Sequence, residues 1–241
     1  MTICAASGSG GMEDNMRLTD DLYAYIYRGY DNNCNSYIFA NVLSGHKHII
    51  IDPGHIVTPY LREPAFDNLT KEIEKDGLKL EDVGLVIITH AHPDHLEAAR
   101  NFQEKSRALI AIHKDEEQLY KSFNLGKIDL YLPEGEIKAD QLIQTRLEIL
   151  HTPGHSPGEI SIYWPEKKAL AVGDVIFYQN TGRVDLPGGD MSLLAKSIEK
   201  LSKLDVEYLL CGHPYGHPGV IQGKDAVKKN IDFIKENILY Y

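Results

Sequence analysis

The sequence predicts an α/β (α+β) protein with two β-sheets and helices on their outer faces. Three observations support this prediction. The chain has 241 residues, enough for one sizeable domain with a generous core. Its first third contains successive strand-like runs separated by turns, which indicates an antiparallel start. Strands then precede helices in both halves, without an internal sequence repeat, and this order favours a two-sheet sandwich.

The first half contains the antiparallel start and then alternating elements. Apolar and β-branched runs between Gly- and Asn-rich turns predict strands, and amphipathic spacing predicts helices. The run LVII at 85–88 is typical of a fully buried strand. The predicted strands are 22–27, 36–40, 47–52, 85–88 and 108–113, and the predicted helices are 66–75, 95–103 and 115–123.

The second half has the same character. The predicted strands are 146–150, 160–164, 169–174 and 206–211, and the predicted helices are 191–204 and 224–239. Residues 1–16 are predicted to form a disordered tail because this segment is rich in Gly and Ser. Residues 17–241 are predicted to form one domain.

Composition limits the partners and the compartment. A formal net charge of −10 and the lack of a basic run argue against nucleic acid as the principal partner. Three cysteines without a CxxC pair predict neither a disulfide framework nor a thiolate zinc cluster, which favours a reducing cytoplasm. The sequence contains no secretory signal and no apolar run near the ~20 residues of a membrane helix. We expect a soluble cytoplasmic protein with a small-molecule substrate, and leave the oligomeric state, including a homodimer, open.

The run HAHPDH at 90–95 contains four potential metal ligands, His90, His92, Asp94 and His95. It follows a buried strand and leads into a predicted helix, so these side chains would lie at the carboxyl end of that strand. Binding sites of α/β folds favour this position. Imidazole suits zinc or iron, and a carboxylate can ligate, orient a water or carry a proton. Burying several polar rings without partners is costly, which favours a metal site.

Three further candidates end other predicted strands. His155 lies in the turn TPGHSPG, whose prolines and glycines fix a tight loop. Asp174 ends an apolar run, where a carboxylate is costly unless it is paired or metal-bound. His213 follows the predicted strand 206–211. Candidate ligands therefore end four separate strands, a recurrence that packing alone does not explain.

In order and spacing, HAHPDH, TPGHSPG, VGD at 172–174 and CGH at 211–213 resemble the metallo-β-lactamase superfamily. The resemblance covers nearly the whole ordered chain, and implies an αββα sandwich of two mixed sheets with a metal site along one edge. The segment GRVDLPGGD at 182–190 is similar to one in glyoxalase II-like hydrolases and persulfide dioxygenases. Within it, Arg183 and Asp185 are predicted to form an ion pair that braces the loop without touching substrate.

The resemblance implies two metal ions and seven protein ligands. The implied ligands are His90, His92 and His155 for one ion, Asp94, His95 and His213 for the other, and Asp174 as a bridge. Two close cations would lower the pKa of a shared water and give a hydroxide nucleophile. Asp94 is also the implied catalytic residue, which would orient the hydroxide and shuttle its proton. The implied cofactors are two zinc ions, with iron, single or binuclear, as the alternative.

The implied function is a binuclear metal-dependent hydrolase that uses a metal-bound hydroxide on a thioester or other activated acyl compound. This is the reaction type of glyoxalase II, the hydroxyacylglutathione hydrolase. A lactonase is an alternative. A persulfide dioxygenase is another, with a single iron held by His90, His155 and Asp174. A non-enzymatic binding module is least expected, because none of the seven ligands is missing.

The sequence also departs from the family pattern. Only 28 residues follow His213, so the helical glutathione-binding domain of glyoxalase II is not expected. The run LEAA at 96–99 replaces a glycine-rich helix start, and the residues after the last ligand are also atypical, so we expect an unusual substrate pocket. The extra histidines His113, His151 and His217 are expected to be structural or at the surface. His55 is expected either near the site mouth or in a surface turn.

Overall fold

Four layers make up the described part of the chain, which in a computed structural model comprises residues 16–137, 144–217 and 219–239. Two mixed β-sheets pack face to face, and helices cover the outer surface of each sheet. This arrangement confirms the predicted αββα sandwich.

The first sheet contains seven strands, which lie side by side in sequence order. They are β1 (Met16–Arg17), β2 (Leu22–Tyr25), β3 (Ser36–Leu43), β4 (Lys47–Ile51), β5 (Val83–Ile87), β6 (Leu109–Ile112) and β7 (Leu130–Tyr131). Neighbours from β1 to β4 are antiparallel, as predicted, whereas neighbours from β4 to β7 are parallel. The parallel strands are rich in Ile, Val and Leu because both of their faces are covered.

The second sheet contains six strands. They are β8 (Gly135–Glu136), β9 (Glu148–His151), β10 (Ile160–Trp164), β11 (Ala169–Ala171), β12 (Tyr208–Leu210) and β13 (Val220–Gln222). Their spatial order is β13-β12-β11-β10-β9-β8. The pair β11 and β12 is parallel, and the other described pairs are antiparallel.

Within the described ranges, six α-helices cover the two sheets. They are α1 (Ala65–Lys75), α2 (Pro93–Leu96), α3 (Ala99–Ser106), α4 (Glu117–Ser122), α5 (Met191–Leu201) and α6 (Lys224–Asn237). Apolar residues of α1 to α4 pack on the first sheet, and those of α5 and α6 pack on the second. At the start of α5, the Asp190 side chain accepts a hydrogen bond from the Leu193 amide at 3.0 Å, which satisfies one unpaired helix donor.

The space between the sheets is filled by apolar side chains from both of them. Phe39 on β3 contacts Trp164 on β10, with ring centroids 5.0 Å apart. Polar contacts join the sheets at one edge: the Tyr37 hydroxyl donates to the Cys211 carbonyl at 2.5 Å, and the Asn35 amide donates to the Gly212 carbonyl at 2.7 Å. The first sheet therefore fixes the segment that follows β12 and carries His213.

The prediction of one continuous helix at 95–103 was wrong, because the structure forms two shorter helices, α2 and α3, in this region. The backbone amide of Ala98 donates to the Gly54 carbonyl at 2.8 Å. This amide therefore does not donate to a carbonyl of the preceding helical turn. The strands β1, β7, β8 and β13 were not predicted. Each has only two or three residues, too few for a period-two pattern.

Two predictions concern the chain termini and membranes. The predicted tail at 1–16 lies outside the described residues except for Met16, which pairs with Ala24 in the first sheet. Among the described helices, none is long and apolar enough to span a bilayer. Within the described chain, Cys34 and Cys211 are buried and free.

Candidate metal centre

The loops after five strands meet at one edge of the sandwich. They follow β4, β5, β9, β11 and β12. Within the loop after β5, His92 precedes α2 with extended backbone, Pro93 opens the helix, and Asp94 and His95 lie in its first turn. Proline suits this position because the first helical amide lacks an intrahelical acceptor. The short helix thus directs two candidate ligands toward the other loops.

All seven side chains predicted from the sequence come together here. Their potential ligand atoms form three groups, each with all atoms within 4.8 Å of one another. The groups are His90, His92 and His155; His90, His95 and Asp174; and Asp94, His95 and His213. The groups share members, so they make one continuous cluster. Six of the seven residues are largely or fully buried, and His92 is half-buried.

Hydrogen bonds fix the tautomers of two histidines. Nδ1 of His95 lies 2.9 Å from Oδ2 of Asp52, and Nδ1 of His155 lies 2.7 Å from the carbonyl oxygen of Arg183. These oxygens accept, so each ring carries its proton on Nδ1. Each Nε2 is then the ring nitrogen that faces the cluster, which is the usual arrangement of metal-binding histidines. Burial acts to lower the pKa of His95, but the charge of Asp174 raises it well above its usual value, so a metal ion would replace the proton on its Nε2.

A chain of hydrogen bonds does the same for His90. The Thr89 hydroxyl donates to Asp52 at 2.7 Å, so its oxygen accepts from Nδ1 of His90, 3.0 Å away. Nε2 of His90 is therefore unprotonated, and it is buried without a hydrogen-bond partner. A buried polar atom without a partner is rare in proteins, and a metal ion would satisfy it.

Pairs of ring nitrogens approach one another as ligands of one ion do. Nε2 of His155 lies 2.9 Å from Nδ1 of His92, and Nε2 of His95 lies 3.3 Å from Nε2 of His213. Two nitrogens bound tetrahedrally to zinc at about 2.0–2.1 Å are roughly 3.3 Å apart. The donor set and its spacing therefore fit metal ions.

Asp174 contacts members of different ligand groups. Its Oδ1 lies 3.3 Å from Nε2 of His95, and its Oδ2 lies 3.5 Å from Nε2 of both His155 and His213. Burial alone would raise the pKa of Asp174, but the charges and hydrogen bonds of His213 and His95 outweigh burial and hold it well below its usual range. Asp174 is thus a buried anion between the two sides of the cluster.

Asp94 lies beside His213 and an amide. Its Oδ2 accepts a hydrogen bond from Nδ2 of Asn32 at 2.8 Å and lies 3.3 Å from Nε2 of His213. Burial acts to raise the pKa of Asp94, but the hydrogen bond from His213 and the charge of His95 hold it below its usual range. The Asp94 carboxylate is therefore ionised at neutral pH.

The histidines divide electrostatically into two sets. Burial, with repulsion from neighbouring histidines, lowers the pKa of His90 well below its usual value and that of His92 to about 4. Burial also acts to lower the pKa of His213, but Asp174 and Asp94 raise it to about 9. The side with carboxylates therefore attracts positive charge, which a metal cation would supply.

Two of the buried carboxylates that were not predicted as functional, Glu159 and Asp52, lie beside candidate ligands. Glu159 is fully buried, and its Oε1 accepts from the Asp174 amide at 2.7 Å and lies 3.6 Å from Nδ1 of His90. Burial and the charge of Asp174 raise the pKa of Glu159 well above its usual range. Asp52 was predicted only as the last residue of the strand 47–52. The apolar run before it is nevertheless the same pattern that identified Asp174 as a candidate ligand.

Glu116 joins the loops that carry the ligands. Its carboxylate accepts from the Ala91 amide at 2.8 Å, from the Gly158 amide at 2.7 Å and from the Ser156 hydroxyl. Ala91 separates two candidate ligands, and Ser156 follows a third. No sequence signal identified Glu116, because its partners are distant in the chain.

The segment 182–190 supports the centre through its backbone. Arg183 and Asp185 form the predicted ion pair, with both contacts at 2.7 Å, and both side chains are mostly exposed. The Arg183 carbonyl binds His155. A Cβ at Gly182 would lie 2.0 Å from the Asp174 carbonyl oxygen, so this close approach requires glycine.

Aromatic side chains line one side of the centre. The Tyr215 ring stacks on His213, with centroids 5.0 Å apart, and packs edge-on against Phe177 at 4.9 Å. Tyr178 stacks on His217 at 4.3 Å. Tyr215 is 55% exposed, so its ring offers apolar surface beside the candidate ligand His213, and Tyr178 is 40% exposed.

The remaining histidines lie outside the seven-residue cluster. His55 is buried and pairs with Glu97, with Nδ1 2.6 Å from Oε2, so it is not a surface turn histidine. His217 stacks on Tyr178, and His113 stacks on His151. Glu97 belongs to the run LEAA at 96–99, which departs from the family pattern. Its contact with His55 gives this departure a structural role.

The family model described as the metallo-beta-lactamase superfamily matches residues 29–213. The match includes all seven cluster residues and strands β3 to β12 of the two sheets, and it confirms the resemblance seen in the sequence. The chain therefore belongs to the metallo-beta-lactamase superfamily.

Curated relatives cover most of the chain. A probable metallo-hydrolase of Methanocaldococcus jannaschii is 34% identical over 200 residues, which span 77% of this chain and 89% of the relative. The hydroxyacylglutathione hydrolase GloC of Haemophilus influenzae is 34% identical over 180 residues, spanning 68% of this chain and 78% of the relative. These similarities identify a metallo-hydrolase family and support the predicted glyoxalase II-like branch.

A solved structure adds information on metals in a similar protein. The crystal structure of TTHA1623 in a di-iron-bound form has a TM-score of 0.58 and 27% sequence identity. The alignment covers 78% of this chain and 91% of that one. The His and Asp cluster described above therefore belongs to a fold that binds metal ions.

Proposed function

We propose that this protein is a metal-dependent hydrolase that cleaves a thioester or another activated acyl compound. The observation that carries the proposal is the convergence of seven candidate ligand side chains in one cluster, in which Nε2 of His90 is buried without a hydrogen-bond partner. The named similarity to a hydroxyacylglutathione hydrolase favours a thioester over other acyl compounds.

In this proposal, the cluster holds two metal ions. The proposed ligands are His90, His92 and His155 for one ion, Asp94, His95 and His213 for the other, and Asp174 between them. The contacts of Asp174 with His95, His155 and His213 support the bridging role. Zinc is the proposed metal because histidine nitrogens and carboxylates are its common ligands, and iron is the alternative that the same donor types accept.

When bound, the metal ions supply a Lewis acid for the acyl oxygen and lower the pKa of a water molecule. Asp94 is the proposed general base. Its ionised carboxylate accepts a proton, and Asn32 orients it through the 2.8 Å hydrogen bond to Oδ2. Asp52 and the Arg183 carbonyl keep His95 and His155 in the ligand tautomer.

The exposed aromatic surface supports a substrate with an apolar group. Tyr215 stacks on the cluster residue His213, where its exposed ring can pack against an acyl chain. The net charge of −10 disfavours long polyanions such as nucleic acid. Two buried, free cysteines are compatible with a reducing compartment, so a cytoplasmic location remains part of the proposal.

The test is a substrate panel with the purified, zinc-loaded protein. The panel contains S-acylglutathione thioesters, lactones, a phosphodiester and single-stranded DNA. We expect turnover of a thioester to exceed that of all other classes, and Tyr215→Ala to raise KM for the best thioester more than it lowers kcat. Tyr60→Ala, at an exposed tyrosine, is the matched control.

Two results would contradict the proposal, and a third would contradict only the preference for a thioester. Phosphodiester or DNA cleavage above thioester cleavage would exclude the acyl class. Oxygen consumption with a persulfide by the iron-loaded protein, without thioester cleavage, would support the dioxygenase alternative. Faster turnover of lactones than of thioesters would keep the hydrolase and replace the substrate.

A further inference from the structure

The loop between β2 and β3 reaches the metal centre through the side chain of Asn32. Its Nδ2 donates to Oδ2 of Asp94 at 2.8 Å. The Cys34 amide of the same loop donates to the Asp94 carbonyl at 3.3 Å, so the loop contacts Asp94 at both its side chain and its backbone. Asn32 is nevertheless an exposed residue. Packing alone therefore does not hold its side chain on Asp94.

Asp31 fastens this loop to a second loop, the one that contains residues 60–61. Its Oδ2 accepts from the Tyr60 amide at 2.8 Å and from the Leu61 amide at 2.6 Å. Its Oδ1 accepts from the Asn32 amide at 2.8 Å. Burial acts to raise the pKa of Asp31, but hydrogen bonds, led by that from the Leu61 amide, lower it to about 2. One ionised carboxylate therefore ties the Asn32 backbone to segment 60–61.

Burial holds the second half of the β2–β3 loop but not the first. Residues 28–30 are exposed, whereas Asn33 is buried, and its side chain accepts from a backbone amide in the loop after β4 at 2.7 Å. Glu63 binds the exposed half further back, because its carboxylate accepts from the Tyr30 amide at 3.1 Å. Asp31 is therefore the anchor at the point where the exposed half meets the buried half.

We propose that Asp31 is a positioning residue of the metal centre, which holds the Asn32 side chain on Asp94 by fastening the loop to segment 60–61. This inference rests on the proposed function, in which Asp94 is the general base. A hydrogen bond to one carboxylate oxygen restricts the rotation of the carboxylate, and a group misplaced by about 1 Å can lose about 10²-fold in rate. Asp31 lies outside the seven-residue cluster, so its effect on Asp94 passes through Asn32.

The first experiment follows the Asn32 side chain by NMR in the metal-free, ¹⁵N-labelled full chain, and it needs no enzymatic activity. The Nδ2 signal is assigned by its loss in Asn32→Ala, and its position in Asp94→Ala gives the reference for an unbonded amide. In Asp31→Ala the signal should move most of the way to that reference. Asp20→Ala, at an exposed aspartate that pairs with Arg17, is the matched control and should leave the signal at its wild-type position.

A conservative variant guards against misfolding. Asp31→Asn keeps one acceptor oxygen for the Tyr60 and Leu61 amides, so it should shift the Asn32 signal less than Asp31→Ala does. An equal shift in both variants would contradict the role given to these two hydrogen bonds.

The second experiment is a double-mutant cycle on the best thioester, with saturating Zn²⁺. Asp31→Ala and Asn32→Ala should each lower kcat by about 10–100-fold and leave KM nearly unchanged, because each frees the Asp94 carboxylate. The double variant should have the kcat of Asn32→Ala alone, because Asp31 acts through Asn32. Two independent losses would multiply instead.

The proposal is overturned if the Asn32 signal of Asp31→Ala stays at its wild-type position, whatever the protein hydrolyses. It is also overturned if the two losses in kcat multiply in the double variant, since Asp31 would then act by another route. A shifted Asn32 signal without turnover of any acyl substrate would contradict the proposed function and still support the positioning role of Asp31.

Discussion

Replacing Asp52 by Asn should weaken metal binding although Asp52 is not a proposed ligand. Asp52 is 2% exposed and accepts three hydrogen bonds, from Nδ1 of His95 at 2.9 Å, the Thr89 amide at 2.8 Å and the Thr89 hydroxyl at 2.7 Å. Its φ of 51° is a left-handed conformation that Asn tolerates, so the variant can keep the backbone. The substitution thus removes charge and acceptor capacity at nearly constant shape.

The magnitude follows from the lost acceptor. An asparagine side chain has one acceptor oxygen, and its amide nitrogen would face at least one of the three donors. Residues that orient metal ligands typically contribute about 10–100-fold to affinity. This factor corresponds to about 1.4–2.7 kcal/mol. In the metal-free protein, one buried donor left unpaired lowers the free energy of unfolding by about 1–3 kcal/mol.

The assay measures zinc affinity by chelator competition and the free energy of unfolding by urea titration. Asp185→Asn is the matched control, because its carboxylate is exposed and pairs with Arg183. We expect little change in the control, since exposed ion pairs contribute about 0–1 kcal/mol. Wild-type zinc affinity in a folded Asp52→Asn variant would refute the argument that Asp52 fixes the His95 tautomer.

Three other substitutions test separate parts of the centre. Asp94→Asn should lower turnover by about 10²–10⁴-fold with near-normal metal content by elemental analysis, and near-normal turnover would exclude it as general base. His155→Ala should lose a metal ion and most turnover while its circular dichroism stays native, so an unchanged metal count would exclude it as a ligand. Glu116→Gln should lower the free energy of unfolding in urea by about 1–3 kcal/mol, because an acceptor for the Ala91 and Gly158 amides is weakened, and wild-type stability would argue against that role.

The fold was predictable where the sequence carries a strong local pattern. The buried runs around β4, β5 and β6 and the amphipathic helices α1, α5 and α6 were identified because burial imposes apolar periodicity over many residues. The break between α2 and α3 was missed. Its cause is the Ala98 amide bonding to Gly54, a contact between residues that are distant in the sequence.

The candidate ligands were predictable because burying an imidazole or a carboxylate without a partner costs free energy. Histidines and aspartates at the ends of apolar runs stand out in a sequence, as His90 and Asp174 do. The supporting carboxylates do not stand out in this way. Glu116 acts on Gly158 from 42 residues away, and Glu159 acts on Asp174 from 15 residues away, so only the fold shows their partners.

Dependence of turnover on metal content tests the central claim most directly. The best thioester substrate is assayed with protein stripped by a chelator, and zinc is then added back stepwise while bound metal is counted by elemental analysis. The two-metal centre predicts loss of turnover on stripping and full recovery at two bound equivalents per chain. Undiminished thioester turnover by the fully stripped protein would contradict the account.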